Sequence, residues 1–432
     1  MSQKHQVVIL GGGFGGLVAA QTLKRANVEI TLLDKRNFHL FQPLLYQVAT
    51  GSLSPAEIAA PLRAVLRHQK NVEVLLGEAV DIDPSGKQVI LADGGIFPYD
   101  TLIIATGSQT SYYGNDQWRE NAPSLKTIEE ATAMRHKMLY AFERAERAET
   151  EDEARAWLNF VIVGAGATGL ELAGALAEIA HETLKHDFRR IRPQEARIIL
   201  MEGGPRVLSA YPEDLSAKAE KLVRNLKVEV MLGAFATNID VNGVSYRHGD
   251  VNGHILAHTV LWAGGVTATP FARKVAARLK AETDPVGRLK MNPDLTIPNH
   301  PEIFVVGDLA LSLDAKGNQL PGVAQVAIQG GAHAGRAIKA RLENKPVPPF
   351  KYFDKGDMAV IGRAAAVANI FGFHVSGFLA WFIWVFIHLI YIVEFQNRIL
   401  VLIDWGFLYL SFSRRARLIT GELSPNPPPR QR

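Results

Sequence analysis

Two glycine-rich runs, each directly after an apolar stretch, have the spacing of loops that bind the pyrophosphate of a dinucleotide. They occupy residues 11–16 (GGGFGG) and 164–169 (GAGATG). In the G-x-G-x-x-G pattern the first glycine makes a tight turn, the second lets the backbone approach the phosphates, and the third lets the helix pack on the strand. The following helix then offers its free N–H groups to the phosphates. The spacing predicts two phosphate-binding loops.

An acidic residue follows each loop after a second apolar run. Asp34 follows residues 30–33 (ITLL), and Glu202 follows residues 198–201 (IILM). A carboxylate in this position binds the ribose hydroxyls of an adenosine half. Glycines alone could serve two strand-to-helix turns, but the matching acid in both places favours nucleotide binding. Two adenine-dinucleotide sites indicate one flavin and one nicotinamide cofactor.

Two further apolar runs end in small or acidic residues that suit a ligand. Residues 102–105 (LIIA) lead into Thr106 and Gly107, and residues 303–306 (IFVV) lead into Gly307 and Asp308. The turn after the first run lets the backbone pass close to a ligand. The carboxylate after the second run is placed to reach a sugar or ribityl hydroxyl.

A helix predicted to begin near Pro321 carries two glutamines with the spacing of one helical face. Proline is favourable at a helix start, and Gln325 and Gln329 are four residues apart. The pair could contact an embedded ring that carries carbonyl groups. A close-packed internal helix explains the same small residues, and both interpretations are compatible.

Composition excludes several classes of protein. The chain has 432 residues, enough for two or three domains, and a net charge of +4. That charge is too small to indicate nucleic-acid binding, and no basic stripe interleaved with aromatic residues is present. Cysteine is absent, which excludes disulfides, cysteine-ligated metals and chemistry through a redox thiol. Because residues 1–6 run straight into the first strand, we expect no leader peptide.

The elements that must position these residues form an α/β fold. We predict two Rossmann-like dinucleotide-binding domains, for FAD and NADH, followed by a C-terminal helical segment that associates with membranes. Residues 1–120 and 266–345 are expected to form a discontinuous FAD-binding domain, and residues 121–265 the NADH-binding domain. Residues 346–432 are expected to form the membrane-anchoring region, to which the family resemblance given below adds dimerisation.

The stretches between the two loops carry weaker signals. Residues 127–158 are charged and predicted to be helical, with a capping box at Thr127 and Glu130. A basic insertion at 181–192 is assigned no role. Its His181 and His186 do not share a helical face at this spacing, so no metal site is predicted.

The C-terminal region contains an apolar segment long enough to be considered as a membrane span. Residues 375–393 are 19 consecutive residues without a charged side chain other than histidine. A span would place the arginines that follow it on the outer face, against the positive-inside tendency. We expect a pair of interfacial helices with arginines toward anionic headgroups, with burial in the core or in a dimer interface as the alternative. These arginines are Arg398, Arg414, Arg415, Arg417, Arg430 and Arg432, set against Glu394, Asp404 and Glu422.

With these residues in place, the chain closely resembles the type II NADH:quinone oxidoreductases, the single-subunit respiratory NADH dehydrogenases. The resemblance covers nearly the whole length. Its most specific parts are residues 41–51 (FQPLLYQVATG), residues 324–330 (AQVAIQG) and the aromatic C-terminal segment.

The resemblance implies a set of site residues. Glu171, Gln325 and Gln329 are the expected catalytic residues, with Glu171 near the nicotinamide and flavin and the two glutamines at the quinone. The expected FAD contacts are Gly11, Gly13, Phe14, Gly15, Gly16, Asp34, Thr50, Thr106, Gly107, Gly307 and Asp308. The expected NADH contacts are Gly164, Gly166, Thr168, Gly169, Glu171, Glu202 and Gly265.

The resemblance also implies an activity and its setting. NADH would reduce one non-covalently bound FAD, which would pass two electrons to ubiquinone or menaquinone without proton pumping. A homodimer on the cytoplasmic face of the bacterial inner membrane, in contact with anionic lipids, is expected. Two alternatives remain at this stage: a soluble diaphorase or NADH oxidase, and an FAD-bearing NADH sensor of the apoptosis-inducing-factor type.

Overall fold

The computed structural model describes residues 4–314 and 317–420. The strands are β1 His5–Leu10, β2 Val28–Asp34, β3 Phe38–Leu40, β4 Ala59–Pro61, β5 Val72–Leu76, β6 Ala79–Asp83, β7 Gln88–Leu91, β8 Ile96–Pro98, β9 Thr101–Ile104, β10 Ser108–Thr110, β11 Asn159–Val163, β12 Arg197–Glu202, β13 Val228–Leu232, β14 Ala234–Asp240, β15 Gly243–His248, β16 Val251–Leu256, β17 Thr259–Trp262, β18 Val266–Ala268, β19 Leu289–Lys290, β20 Thr296–Ile297, β21 His300–Val305, β22 Ala310–Leu311, β23 Asp357–Gly362, β24 Ala365–Ile370 and β25 Phe373–Gly377.

Helices connect and cover these strands. They are α1 Phe14–Thr22, α2 Leu45–Ala49, α3 Pro55–Ile58, α4 Leu62–Leu66, α5 Ile128–Glu146, α6 Glu151–Leu158, α7 Ala167–Glu178, α8 Glu213–Asn225, α9 Pro270–Leu279, α10 Ala324–Leu342, α11 Phe378–Tyr391 and α12 Phe395–Ser411.

The first sheet combines strands from residues 5–104 with two strands from residues 296–305. Its six strands lie in the order β20-β21-β9-β1-β2-β5. β1 is parallel to β2 and β9, with Ile9 opposite Leu32 and Ile103, and β21 runs parallel to β9. These strands are apolar on both faces because helices cover both sides of a parallel sheet. The predicted opening βαβ unit, and the predicted buried strand that ends near residue 306, are confirmed.

The second sheet repeats the arrangement with four strands in the order β13-β12-β11-β17. All its pairings are parallel, and Val161 lies opposite Ile199 and Val260. An antiparallel sheet of β14, β15 and β16 follows β13 in the chain. The predicted second βαβ unit is therefore confirmed, with its glycine-rich run between β11 and α7.

The charged stretch at 127–158 is two helices rather than one. Thr127 and Glu130 form the predicted capping box at the start of α5. The chain leaves helical geometry after Arg147, and a second N-cap begins α6, where the Thr150 hydroxyl accepts a hydrogen bond from the Glu153 N–H. A cap of this kind restarts a helix because it satisfies an otherwise unpaired backbone donor.

The C-terminal region contains a small sheet as well as helices. β23, β24 and β25 form an antiparallel sheet, so the segment at 375–393, expected to be helical throughout, begins as a strand. Gly377, at φ +75°, ends β25 and allows the turn into α11. No helix among the described residues is long and apolar enough to cross a membrane. The predicted contributions of Glu422, Arg430 and Arg432 lie outside the described residues.

The C-terminal helices share a core with the nucleotide-binding folds. One cluster of buried side chains includes Phe142 and Phe160 of the second Rossmann unit together with Trp384, Val401 and Trp405 of α11 and α12. The expected alternative of burial therefore applies to one face of these helices. Exposed residues on the same helices form the opposite face.

Candidate functional site

The two glycine-rich loops have the same geometry. Gly11 and Gly164 have φ values of +100° and +104°, which favour glycine. A Cβ built on Gly16 would lie 1.8 Å from the Gly11 carbonyl oxygen, and one on Gly169 would lie 1.8 Å from that of Gly164. The third glycine is therefore required for the close packing of helix on strand in both loops.

The middle glycines face open space instead. A Cβ on Gly13 or on Gly166 would meet no protein atom within 4 Å. Both residues are N-caps in extended conformation, at φ −69° and −71°, at the starts of α1 and α7. Each loop thus has the cradle that a pyrophosphate would fill, in front of a helix N-terminus.

The two acids are held in matching positions. The Asp34 carboxylate accepts hydrogen bonds from the N–H groups of Gly12 at 2.5 Å and Arg36 at 2.7 Å. The Glu202 carboxylate accepts from Ala165 and Gly204, both at 2.7 Å. Each acid is fixed beside its loop, and a carboxylate has further lone pairs for ribose hydroxyls. Burial raises the pKa of Asp34 above its usual value.

The remaining predicted FAD residues gather at the carboxyl ends of β9 and β21. A Cβ on Gly11 would lie 2.4 Å from the Ala105 carbonyl oxygen, which places the first loop against the Thr106 turn. The Thr106 hydroxyl is buried and has no hydrogen-bond partner in the described chain, as expected for a group that a ligand satisfies. Gly307 has a φ of +78°, and the Asp308 carboxylate accepts from the Ser108 hydroxyl at 2.8 Å.

Lys126 is a residue of this group that the sequence did not indicate. Its ammonium lies 3.4 Å from the Asp308 carboxylate and 3.2 Å from the Ser108 hydroxyl. It lies just before the α5 cap, nearly two hundred positions from Asp308, and no local pattern connects the two residues.

Phe14 and Thr50 are the remaining predicted FAD contacts, and each contacts neighbouring residues of its own region. The Phe14 ring packs edge-on against His39 and Phe41, with centroids 5.1 and 5.8 Å apart. Thr50 is 2% exposed, and its hydroxyl donates to the Tyr46 carbonyl at 2.9 Å. Among the predicted NADH contacts, Gly265 lies close to the Tyr113 hydroxyl. It directly follows Gly264, whose backbone nitrogen lies beside Gly164. Thr168 lies in the first turn of α7.

The two glutamines of α10 have different surroundings. The Gln325 Oε1 atom is buried and has no partner in the part of the chain that the structure describes. The Tyr391 hydroxyl lies near this side chain and accepts a hydrogen bond from the Lys355 ammonium at 2.8 Å. Gln329 instead makes a two-way pair with the backbone of Phe353, in which Nε2···O and N···Oε1 are both 2.9 Å. Only Gln325 therefore presents a free acceptor.

Helix α10 is fixed by close packing on α1. A Cβ on Gly331 would lie 2.1 Å from the Gly15 carbonyl oxygen, and one on Gly335 would lie 2.7 Å from the Thr22 side chain. Small residues at this crossing let the two backbones approach. The crossing holds the start of α10, and with it Gln325, near Gly307.

Glu171 lies in a cleft between α7 and the C-terminal helices. The cleft encloses about 620 Å³, including its opening to solvent. Burial raises the pKa of the Glu171 carboxyl well above its usual range. Gln325 and Gln329 are not among the described residues that line this cleft. The lining residues are Tyr46, Gln47, Ser52, Glu171, Ala175, Glu178, Val360, Ile361, Gly362, Arg363, Trp381, Trp384, Val385, Trp405, Leu408, Tyr409, Phe412 and Arg414.

Arg414 closes one side of the cleft, which corrects its expected role toward headgroups. Its guanidinium donates to the Glu178 carboxylate at 3.0 Å, to the Thr50 hydroxyl at 3.3 Å and to the Ser52 hydroxyl. The side chain is 2% exposed and cannot reach a bilayer surface. Arg415 and Arg417 are likewise paired, with Asp404 and Asp187. Charge counting in the C-terminal region could not identify Glu178 and Asp187, which are more than two hundred residues away along the chain.

Comparison with known proteins identifies the family. The model of the pyridine nucleotide-disulphide oxidoreductases matches residues 5–331, and that of the NDH2 C-terminal domain matches residues 355–415. Type II NADH:quinone oxidoreductase Ndh of Mycobacterium tuberculosis is 44% identical over 427 residues, which are 97% of this chain and 91% of the relative. The same organism's NdhA is 44% identical over 97% of this chain and 90% of its own. The chain belongs to the type II NADH:quinone oxidoreductases.

Solved structures agree on the fold of this type II oxidoreductase. NDH2 from Plasmodium falciparum, in complex with NADH, superposes with a TM-score of 0.86 at 19% identity, covering 96% of this chain and all of that one. The sulfide:quinone oxidoreductase of Aquifex aeolicus has a TM-score of 0.69 at 18% identity, with 96% and 92% covered. The present chain has no cysteine, whereas chemistry on sulfide through a redox thiol requires one.

Family membership settles the activity. The type II oxidoreductase transfers electrons from NADH through FAD to a quinone, without proton pumping, and it associates with membranes. The predicted function, cofactors and fold class are confirmed. The soluble diaphorase and the apoptosis-inducing-factor type of sensor are thereby excluded as alternatives.

Proposed function

We propose that the two matched loops divide the cofactors between them, FAD at residues 11–16 and NADH at residues 164–169. The observation that supports two dinucleotide sites is that Gly13 and Gly166 face open space in otherwise close-packed loops. Asp34 and Glu202 would then bind the two adenosine riboses. Under this proposal residues 1–120 with 266–345 form the FAD-binding domain, and residues 121–265 form the NADH-binding domain.

Further side chains of the first site fit an FAD. The buried, unpartnered Thr106 hydroxyl would bind it together with Gly107, Gly307 and Asp308. FAD supplies hydride acceptance from NADH and two-electron transfer to the quinone when it is bound. The chain supplies non-covalent contacts, orientation and exclusion of water. The N-terminus of α10 presents its positive dipole end to this site.

Two side chains are proposed to act on the reacting molecules. Glu171, whose pKa is raised by burial, would contact the reacting molecules inside the cleft on the nicotinamide side. Gln325 would donate a hydrogen bond from its Nε2 atom to a quinone carbonyl, near the Tyr391 hydroxyl. The two polar side-chain atoms of Gln329 both hydrogen-bond the Phe353 backbone. Gln329 would therefore hold in place the segment around Phe353, which would border the quinone.

The exposed face of α11 and α12 is proposed to lie on the bilayer as a monotopic surface. Phe382, Phe386 and Phe407 are 56%, 59% and 61% exposed, and Leu410 is 80% exposed. An exposed apolar face of this size on paired helices is typical of a protein that binds a membrane interface. We further propose that the protein is a homodimer and that this surface binds anionic lipids on the cytoplasmic face of the bacterial inner membrane.

Alanine at the two open glycines tests the division of cofactors. Both positions have a φ that alanine adopts, and a Cβ there meets no protein atom, so the fold should persist. Gly13→Ala should lower the FAD content, read from flavin absorbance. Gly166→Ala should keep FAD but slow its reduction by NADH in anaerobic stopped flow. Loss of FAD in Gly166→Ala, or retention in Gly13→Ala, would overturn the assignment.

Gly406→Ala is the matched control. A Cβ at Gly406 also meets no protein atom, but the residue lies in α12, far from both loops in the chain. This variant should keep the FAD content and the rate of flavin reduction of the parent protein.

A further inference from the structure

An exposed aromatic ring lies against the residue that follows the ribose-binding acid. Phe235 is 53% exposed. A Cβ built on Gly203 would lie 2.5 Å from Cε1 and 2.8 Å from Cδ1 of the Phe235 ring. The ring therefore rests on the Gly203 backbone, directly beside Glu202.

The backbone fixes this ring at the carboxyl ends of two parallel strands. The Gly233 N–H donates to the Gly204 carbonyl at 3.0 Å, which ties the end of β13 to the end of β12. Gly233 has a φ of +67°, and this turn starts β14 with Phe235 as its second residue. Ligands of open parallel sheets bind at this edge, outside the carboxyl ends of the strands.

Nothing in the core or the cofactor loops uses this ring. The side chain contributes to none of the buried clusters of the described chain, and about half of its surface is open. Because Gly203 has no side chain, the Phe235 ring can lie close to the backbone next to Glu202. An exposed aromatic ring next to a ribose site matches the base that is attached to that ribose.

We propose that Phe235 binds the adenine ring of NADH by stacking. The inference rests on the proposed function, which places NADH at residues 164–169 and its adenosine ribose at Glu202. Base–aromatic stacking tolerates a partly exposed ring because the base itself covers the open face. Phe235 would thus set affinity for the adenosine half while leaving the nicotinamide half unchanged.

The test compares NADH with reduced nicotinamide mononucleotide, which has the reactive ring but no adenosine. In the FAD-loaded enzyme, Phe235→Ala should raise KM for NADH and lower kcat/KM by roughly 5- to 100-fold, with kcat little changed. With the mononucleotide, kcat/KM of the variant should equal that of the parent. Phe235→Trp should restore most of the NADH affinity.

Two controls make the outcome decisive. Val241→Ala alters a 68% exposed side chain just after β14. This variant should not change kcat/KM for NADH or for the mononucleotide. Equal losses with NADH and the mononucleotide, or no loss with NADH, would overturn the role of Phe235. If Glu202→Gln still alters the preference for NADH over NADPH in that case, the proposed NADH site stands and only the stacking inference fails.

Discussion

The Arg414 guanidinium and the Glu178 carboxylate form a buried ion pair, with Nη2 and Oε2 3.0 Å apart and side chains 2% and 13% exposed. The pair joins the segment after α12 to the end of α7. The Glu178 carboxylate also accepts from the Arg363 N–H at 2.5 Å. The C-terminal region is therefore bound to the second Rossmann unit by charge as well as by apolar packing.

Removing the charge of Arg414 should destabilise the protein strongly. Arg414→Gln leaves Glu178 buried without its partner, which costs about 3–5 kcal/mol of unfolding free energy. Denaturant unfolding of the FAD-loaded protein measures the loss. Arg155→Gln is the control, because the Arg155–Glu151 pair is 70% and 89% exposed and such pairs contribute under about 1 kcal/mol. Equal losses in the two variants would contradict a structural role for the buried pair.

Glu202 should make the enzyme prefer NADH to NADPH. A 2′-phosphate would lose the ribose hydrogen bond and meet the carboxylate's negative charge, which amounts to roughly 2–3 kcal/mol or about a hundredfold in kcat/KM. Steady-state kinetics with both cofactors measures the ratio. Glu202→Gln should reduce the ratio of kcat/KM for NADH to kcat/KM for NADPH. Near-equal kcat/KM values in the parent protein would contradict the placement of Glu202 at the ribose.

Gln325 and Glu171 should affect different half-reactions. Gln325→Ala removes a proposed hydrogen bond to the quinone, worth about 1–3 kcal/mol, and should slow flavin reoxidation by quinone more than flavin reduction. Glu171→Gln should instead change NADH binding or flavin reduction. Stopped-flow spectroscopy of each half-reaction separates them. Unchanged reoxidation in Gln325→Ala would mean that the quinone binds elsewhere.

The exposed phenylalanines of α11 should carry membrane binding. Replacing Phe382 and Phe386 together by serine removes apolar area that the bilayer would bury, and sedimentation with anionic liposomes should fall. FAD absorbance should stay constant, since neither side chain is in the core clusters. Leu76→Ser, at a 66% exposed leucine at the end of β5, is the control. Unaltered sedimentation of the double variant would count against this surface.

Glu57 should make stability fall as pH rises. Burial, with Asp404 beside it, raises the pKa of Glu57 from 4.5 to about 7, against the Ser54 N–H and Arg415, which lower it. The folded protein then holds a proton that the unfolded chain has lost, so its stability decreases between pH 4.5 and 7 and is level above. Thermal unfolding across this range should show a smaller slope in Glu57→Gln. The exposed Glu78→Gln should not alter it, and an identical slope in both variants would refute the assignment.

The sequence was most informative where the local spacing of residues determines the backbone geometry. Both loops, both acids and the strands that precede them follow from glycine spacing and apolar runs, because the backbone itself requires those residues. The pairing of Gln329 with Phe353 and the burial of Arg414 could not be predicted. Each depends on a partner brought close by tertiary packing, and Arg414 has the same local context as arginines that lie on a surface.

The strand order of the first sheet has a consequence for how the chain is made. β9, at Thr101–Ile104, lies between β1 and β21, and β21 is His300–Val305. The second sheet is complete at Trp262. During synthesis all four strands of the second sheet are therefore made before β21, which the first sheet needs beside β9. A truncated chain that stops before residue 300 would contain every strand of the second sheet, but it would lack β21 of the first sheet and the C-terminal side chains that complete the core of the second unit.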